Sequence, residues 1–441
     1  MEERTRRQPC RAALAAFLGS AVEYYDLFCY GTAAALVFGE IFFATNNPFV
    51  GTLASLVTFA AGFIARPFGA LVFGYLGDKI GRRYSLIITL LVMGLASTLI
   101  GALPTYAQIG PWAAVLLLIL RVAQGIAVGG EWGGAVLIAA EHASPRWRTF
   151  LAAAPQYGNP IGLILASLAF QWATSLPHDD FRTWGWRIPF LASAVLVLLT
   201  FIIRHGVSES PEIVDFRNRA SVAARETKRS PILEILKSHK RRVVLGVGFT
   251  MMAVAGFYFV TTLMLTVTTT YLGIARPAIL QVMNYTGIVQ LIGYPIGSYL
   301  AHRFGERRYL LAITTIIFLW SAPMMMLIFT RDIRYIEASI LITNLLTSGY
   351  YAVLASFLPK AFPVQVRYTG ISISYQLCSA VFGGTTPLVG LWVIRSFGVH
   401  WAPLAIMFGL MALCTLISAA LLPAEKPEVN RIVPGEAVGS A

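Results

Sequence analysis

Five ionisable residues interrupt long apolar runs of this chain: Glu23, Asp26, Arg66, Arg121 and Glu131. A charged side chain inside a membrane costs at least about 2.5–3.5 kcal/mol, so each is a functional candidate by default. Glu23, Asp26 and Tyr30 are spaced i, i+3 and i+7, which puts them on one helical face. Arg121, Gln124, Val128 and Glu131 fall within roughly 80° of one another at 100° per residue. Two facing polar stripes of opposite charge predict a buried network along a central cavity. A carboxylate there can gain and lose a proton as its surroundings change. A guanidinium can hold a substrate carboxylate with two parallel hydrogen bonds. Glu23, Asp26 and Glu131 are therefore the candidate proton-coupling groups. Arg121 is the leading anion contact, with Gln124 and Tyr30 beside it. Moving a monoanion into a compartment that is negative inside costs about 2.3 kcal/mol per 100 mV, and one co-moving proton cancels that charge.

The elements that must position these groups are membrane helices. Of 441 residues, 57% are hydrophobic and 12% charged, against roughly 25% charged in a soluble domain. The apolar runs are continuous rather than alternating, which favours helices over a β-barrel. Twelve spans are predicted, at 12–38, 50–73, 84–103, 112–140, 150–174 and 188–203, then 243–272, 278–300, 310–330, 336–357, 370–396 and 402–422. This is an all-α integral membrane fold in two six-helix bundles. Residues 1–11 form a tail, 12–204 the first bundle, 205–240 a central loop, 241–423 the second bundle, and 424–441 a second tail. A surface helix is expected near 230–240.

Of the 34 Lys and Arg, 26 fall on one side of these spans and six on the other; Arg66 and Arg121 lie within spans. The positive-inside rule then places both termini and the central loop in the cytoplasm. That placement, in short loops, argues against nucleic acid as a partner and suggests contact with anionic lipids. The first apolar run carries Glu23 and Asp26 and is too long for a cleaved signal. The four cysteines (Cys10, Cys29, Cys378 and Cys414) show no metal-ligand spacing, and no structural disulfide, metal or cofactor is expected.

An internal repeat supports the two halves. Tyr75-Leu76-Gly77-Asp78-Lys79-Ile80-Gly81-Arg82 aligns with Tyr299-Leu300-Ala301-His302-Arg303-Phe304-Gly305-Glu306, an offset of 224 residues. Glu141…Arg148 pairs with Lys360…Arg367 at an offset of 219. Parallel halves suit a transporter that rocks around a central site. Gln156 and Tyr157 follow Arg148 as Tyr375 and Gln376 follow Arg367, so Gln156, Tyr375 and Gln376 are candidate cavity residues. Tyr258, Asn284, Gln290 and Asn344 are further polar positions in the second half. The glycine cluster 129–134 is expected to permit close helix crossing rather than ligand contact.

The turn from Gly74 to Arg83 resembles the signature loop of the major facilitator superfamily. Glu23-Tyr24-Tyr25-Asp26, Tyr30-Gly31, Arg66-Pro67-Phe68-Gly69, Arg121-Val122-Ala123-Gln124-Gly125, Gly129-Gly130-Glu131-Trp132-Gly133-Gly134, Trp184-Gly185-Trp186-Arg187 and Glu209-Ser210-Pro211 resemble its metabolite:proton symporter group. That group includes shikimate, α-ketoglutarate, citrate and proline/betaine permeases, and the Glu131 and Trp-Gly-Trp-Arg stretches tilt toward its shikimate-type members. The resemblance implies alternating access, a monomeric unit and a multi-pass inner-membrane location. It also implies gating roles for Gly74, Asp78, Gly81, Arg82, Arg83, Arg148 and Arg367: Asp78 latching the inner gate, Arg82 and Arg83 on lipid headgroups. His302 replaces the acid in the second copy, which puts a charge-dependent lock there in doubt. The tail lacks the heptads of osmosensing members.

The leading expectation is proton-coupled symport of a small organic anion, a mono- or dicarboxylate. The alternatives are a zwitterion or cation carrier and an exporter. An enzyme is disfavoured because no Ser/His/Asp set or zinc spacing exists; His178-Asp179-Asp180 reads as a hydrated turn. A non-transporting receptor is disfavoured by the intramembrane charges.

Overall fold

The computed structural model describes residues 2–43, 48–215 and 231–423. The basic residues expected at 217–229, Lys426 and Arg431, and the whole of the second tail, lie outside the described residues.

Apolar sequence in water-poor surroundings must satisfy its backbone internally, and helix is the local solution. Twelve long helices result among the described residues. The first half holds α1 (Glu2–Ala33), α2 (Pro48–Lys79), α3 (Arg82–Ala102), α4 (Trp112–His142), α5 (Gly158–Thr174) and α6 (Arg187–His205). The second half holds α7 (Lys240–Tyr258), α8 (Arg276–Phe304), α9 (Glu306–Ile328), α10 (Ile333–Phe357), α11 (Arg367–Cys378, resumed at Thr385–Phe397) and α12 (Trp401–Leu421). Ten helical stretches are long and apolar enough to span a membrane by length and composition. Of the other two, α5 has only 17 residues as continuous α-helix, because a 3-10 turn at Ala154–Tyr157 precedes it. Helix α8 is 29 residues long but carries Gln281, Asn284 and Gln290.

The repeat recurs in backbone detail. A π turn at Ala34–Phe38 prolongs α1, and another at Phe259–Leu263 prolongs α7, 225 residues further on. Leu95, Val195, Leu198, Ile202, Val244, Leu319, Leu388 and Ile406 are all more than half exposed. They form the outward apolar surface that lipid would cover.

Glycine sets how closely α2 and α4 approach. A Cβ on Gly129 would sit 2.1 Å from the Arg66 carbonyl oxygen, and one on Gly69 would sit 1.8 Å from that of Ile126. Gly130, Gly133 and Gly134 likewise face Phe73, Ser372 and Tyr368, so this cluster serves close packing rather than cavity lining.

Several boundaries differ from the sequence reading. Helix α2 runs through Lys79, so most of the expected charged turn is helix; the chain reverses only at Gly81, whose φ of +135° favours glycine. Gly74 and Gly77 are packing residues: a Cβ on Gly77 would lie 1.7 Å from the Tyr368 ring. The expected surface helix is present at Pro231–Ser238, yet Ile235 is fully buried in a cluster with Ala70, Val366 and Ile373. That helix therefore bridges both halves rather than resting on the surface.

Candidate functional site

The two halves meet along α2 and α4 on one side and α11 on the other, with α10 against the short helix Arg148–Ala152. Between them lies a cavity of about 900 Å³. It reaches from Trp132 and Tyr375 in the middle of the bundle to Leu36, Leu265 and Leu280, near the ends remote from the basic loops. Trp132 and Tyr375 stack at 4.1 Å with an interplanar angle of 17°, closing its floor across the two halves. Such offset stacking contributes about 0.5–1.5 kcal/mol beyond area burial. The Tyr351 and Tyr375 hydroxyls meet at 2.8 Å.

Among the described residues lining this cavity, two are charged, Glu23 and Arg66. Both also line a crevice of about 10 Å³ with Asp26, Arg121 and Gln124. Arg66 packs over the Phe63 ring at 4.3 Å. The sequence reading placed Arg66 inside a span but gave the anion contact to Arg121. Arg121 does not reach the large cavity. Its guanidinium lies 4.3 Å above the Tyr30 ring and 4.8 Å from that of Phe59, and it donates to Gln124 at 3.2 Å.

Asp26 is held differently from Glu23. Its two oxygens accept from Ser97 Oγ and Ser193 Oγ, each at 2.6 Å, while Gln124 Nε2 donates to Ser97 Oγ at 2.6 Å. This chain ties α1, α3, α4 and α6 together. Glu131 does not join it. It is fully buried and pairs with Arg204 of α6, and Thr89 Oγ1 donates to it at 2.7 Å. Arg204, counted with the central loop from sequence, is thus a buried helix residue. We expect Glu131→Gln to strand that charge and lower stability by about 3–5 kcal/mol, read as a lower Tm in detergent. Replacing both partners by leucine should restore most of it.

The remaining expected contacts are dispersed. Tyr375 lines the large cavity; Tyr30, Gln156 and Gln376 lie outside its lining. Tyr30 shares a 2.7 Å hydrogen bond with Thr58, and Gln156 Oε1 accepts from the Trp132 indole at 3.3 Å. Of the further polar positions noted in the second half, Tyr258, Gln290 and Asn344 line the cavity and Asn284 does not.

At the basic end the halves are fastened. Asp78 accepts from Tyr368 N at 3.0 Å, Thr369 N at 2.9 Å and Thr369 Oγ1 at 2.7 Å, so it caps the first turn of α11. Arg82 is fully buried, with Nε 3.1 Å from Glu141, and Nη2 donates to the Val364 carbonyl at 3.3 Å. This corrects the expectation that Arg82 reaches lipid headgroups: an ion pair holds it inside the protein. Arg83 donates to the His205 carbonyl at 2.7 Å.

The two repeat-related arginines converge on one acid that sequence did not single out. Arg148 and Arg367 both pair with Glu212, and Arg367 also lies 3.2 Å from Glu141. Glu209, the first residue of the Glu-Ser-Pro motif, accepts from Arg82 N at 2.9 Å. Burial pushes the Glu212 carboxyl up, but Arg367 and Arg148 outweigh it and hold it below the usual range. Its stabilisation is therefore present above the ordinary value of about 4.3 and is lost only as pH falls through the lower bound-state value. A clasp of this kind does not respond to pH changes near neutrality.

In the second half, Glu306 replaces the missing acid one turn along from His302. It accepts from Thr149 Oγ1 at 3.0 Å, across the halves, and pairs with Lys360.

Comparison with known proteins agrees with this architecture. The family model of the Major Facilitator Superfamily matches residues 16–380 and 271–440. The shikimate transporter of Escherichia coli K12 is 38% identical over 411 residues, covering 93% of this chain and 92% of that protein. The proline/betaine transporter of Salmonella typhimurium LT2 is 32% identical, covering 88% of this chain and 78% of that protein. Among solved structures, the proton:xylose symporter XylE bound to 6-bromo-6-deoxy-D-glucose superposes with a TM-score of 0.75 at 16% identity, covering 95% of this chain and 97% of that one. This multi-pass membrane protein, with twelve transmembrane helices in two bundles, is a transporter rather than an enzyme and belongs to the Major Facilitator Superfamily.

Proposed function

We propose that the chain carries a small organic anion together with a proton, by alternating access between two six-helix halves. The observation that carries this reading is the presence of one cation and one carboxyl, Arg66 and Glu23, as the only charges among the described residues lining the large cavity. Ionised Glu23 balances Arg66 when the site is empty. Protonating Glu23 frees the guanidinium for a substrate carboxylate. The loaded site then has the same net charge as the empty one, so neither crossing moves uncompensated charge through the low-dielectric interior. Asp26, already receiving two hydroxyl donors, is assigned to positioning α1 against α3 and α6.

The basic end is taken as cytoplasmic from the distribution of Lys and Arg, in which case the fastened gate and the cavity describe an outward-facing state. Relatives named for shikimate and for proline and betaine fit two substrate classes. The zwitterion reading has one observation in its favour: Glu23 and the aromatic lining could receive a quaternary ammonium. Uptake by proteoliposomes under an imposed pH gradient separates them. Flux of shikimate or another carboxylate that rises with an inward proton gradient is expected. Gradient-driven betaine uptake with none for any acid would overturn the anion reading.

A further inference from the structure

Resting on the anion-symport reading, we propose that Gln290 and Asn344 form a hydroxyl-reading pair that makes the site selective for hydroxylated monocarboxylates. The two halves contribute different chemistry to the cavity. Its two charges both come from the first half, on α1 and α2. Among the described residues, the wall supplied by the second half holds no Lys, Arg or His; its polar groups are amides and hydroxyls. A second carboxylate on the substrate would face that wall with no cation to meet it, and an ionised group buried without a partner is strongly disfavoured. A neutral hydroxyl there meets donors and acceptors.

Gln290 on α8 and Asn344 on α10 supply the means. Gln290 Nε2 donates to Asn344 Oδ1 at 3.3 Å, and Tyr294 donates to Gln290 Oε1 at 3.4 Å. Asn344 Nδ2 donates to the Ile340 carbonyl at 3.0 Å, which ties that amide to its own helix. Each side-chain amide has two N–H donors, so one on each residue is left over after these bonds. Both residues are more than nine-tenths buried, and both line the cavity. Buried amide groups are normally satisfied, so leftover donors on residues that line a cavity suit a ligand oxygen. The amides lend acceptors as well, so a hydroxyl can donate and accept at the pair. The mutual bond and the tie to Ile340 hold the amides in place before substrate arrives, which limits the ordering cost of binding.

The test uses a matched pair of probes on the full-length protein in proteoliposomes. Shikimate and cyclohex-1-ene-1-carboxylate share the ring and carboxylate and differ in the ring hydroxyls. Succinate supplies the second charge. Inhibition constants against labelled shikimate are expected to favour shikimate over the unhydroxylated acid by roughly tenfold or more, with succinate weaker still. Gln290→Leu and Asn344→Leu should each shrink the ratio between the first two probes by roughly fivefold to tenfold. Gln290→Glu provides a second variant that keeps size and polarity while adding charge; it should weaken both carboxylates. The pair is not the reader if the leucine variants change both probes equally, or if succinate binds as well as shikimate. If labelled shikimate is not taken up at all while labelled betaine is, the anion reading itself fails, and that outcome is distinct from the first.

Discussion

An Arg66→Ala protein is expected to lose substrate affinity by about a hundredfold or more while still folding. Truncating one member of a buried charged contact costs about 2–5 kcal/mol in binding, which corresponds to roughly 30-fold to several-thousand-fold. Arg66 lines the large cavity, so its removal takes away the sole cation among the described residues there. Arg66→Lys keeps the charge but loses the planar fork, so an intermediate loss is expected. Arg121→Ala provides the contrast. That guanidinium lies between the Tyr30 and Phe59 rings and bonds Gln124, all within the first half. Its loss should lower Tm and the yield of folded protein, with the affinity of the folded fraction changed by less than about tenfold. Binding isotherms of the purified variants, paired with thermal melts, read both effects. Wild-type affinity in Arg66→Ala together with abolished binding in Arg121→Ala would exchange the two assignments.

That contrast shows what sequence could reach. Apolar run length, loop charge and the repeat carried the twelve helices and two halves, because these follow from the solvent each segment must face. The same reasoning identified Glu23, Asp26, Arg66, Arg121 and Glu131 within the spans, but not the buried Arg82 and Arg204, whose places at the ends of apolar runs made them look like loop. What periodicity could not supply was which way each stripe turns. Arg121 and Glu131 share a helical face, yet that face passes two different neighbours along its length: Tyr30 and Phe59 at one level, Arg204 and Thr89 at another. Ten residues of helix cover about 15 Å, so a shared face does not mean a shared site. Glu212 was beyond reach for a related reason. Its partners are separated from it by 64 and 155 residues and meet it only after both halves close. The repeat did contain a hint: two equivalent arginines on one side require acids, and Glu212 directly follows the noted Glu209-Ser210-Pro211.

Asp78 should prove the strongest single determinant of closure at the basic end. Its carboxylate receives two backbone N–H groups and one hydroxyl from the start of α11, all buried. Asp78→Ala leaves two buried N–H donors without partners, at about 1–3 kcal/mol each. The closed-to-open ratio should therefore fall by roughly 30-fold to more than a thousandfold. Glu306 offers a weaker second latch, since it takes only the Thr149 hydroxyl across the halves. Glu306→Gln should shift the balance by less than tenfold. Spin labels at Arg146 and Arg303, both exposed and on opposite halves, report the opening as a longer inter-label distance once Cys10 is replaced by serine. A longer-distance population is expected in Asp78→Ala, with substrate binding retained and turnover in proteoliposomes reduced. Because Arg148 and Arg367 hold the Glu212 carboxyl below its usual range, the Glu212 ion pairs should contribute no change in the distance distribution between about pH 6 and 8 in the absence of substrate. Opening by pH alone over that range would mean that the proton acts at the clasp rather than at the cavity, and would move the coupling role away from Glu23. Retention of the short distance in Asp78→Ala would instead assign closure to the Arg82, Glu141 and Glu212 ion pairs, leaving Asp78 as a helix cap.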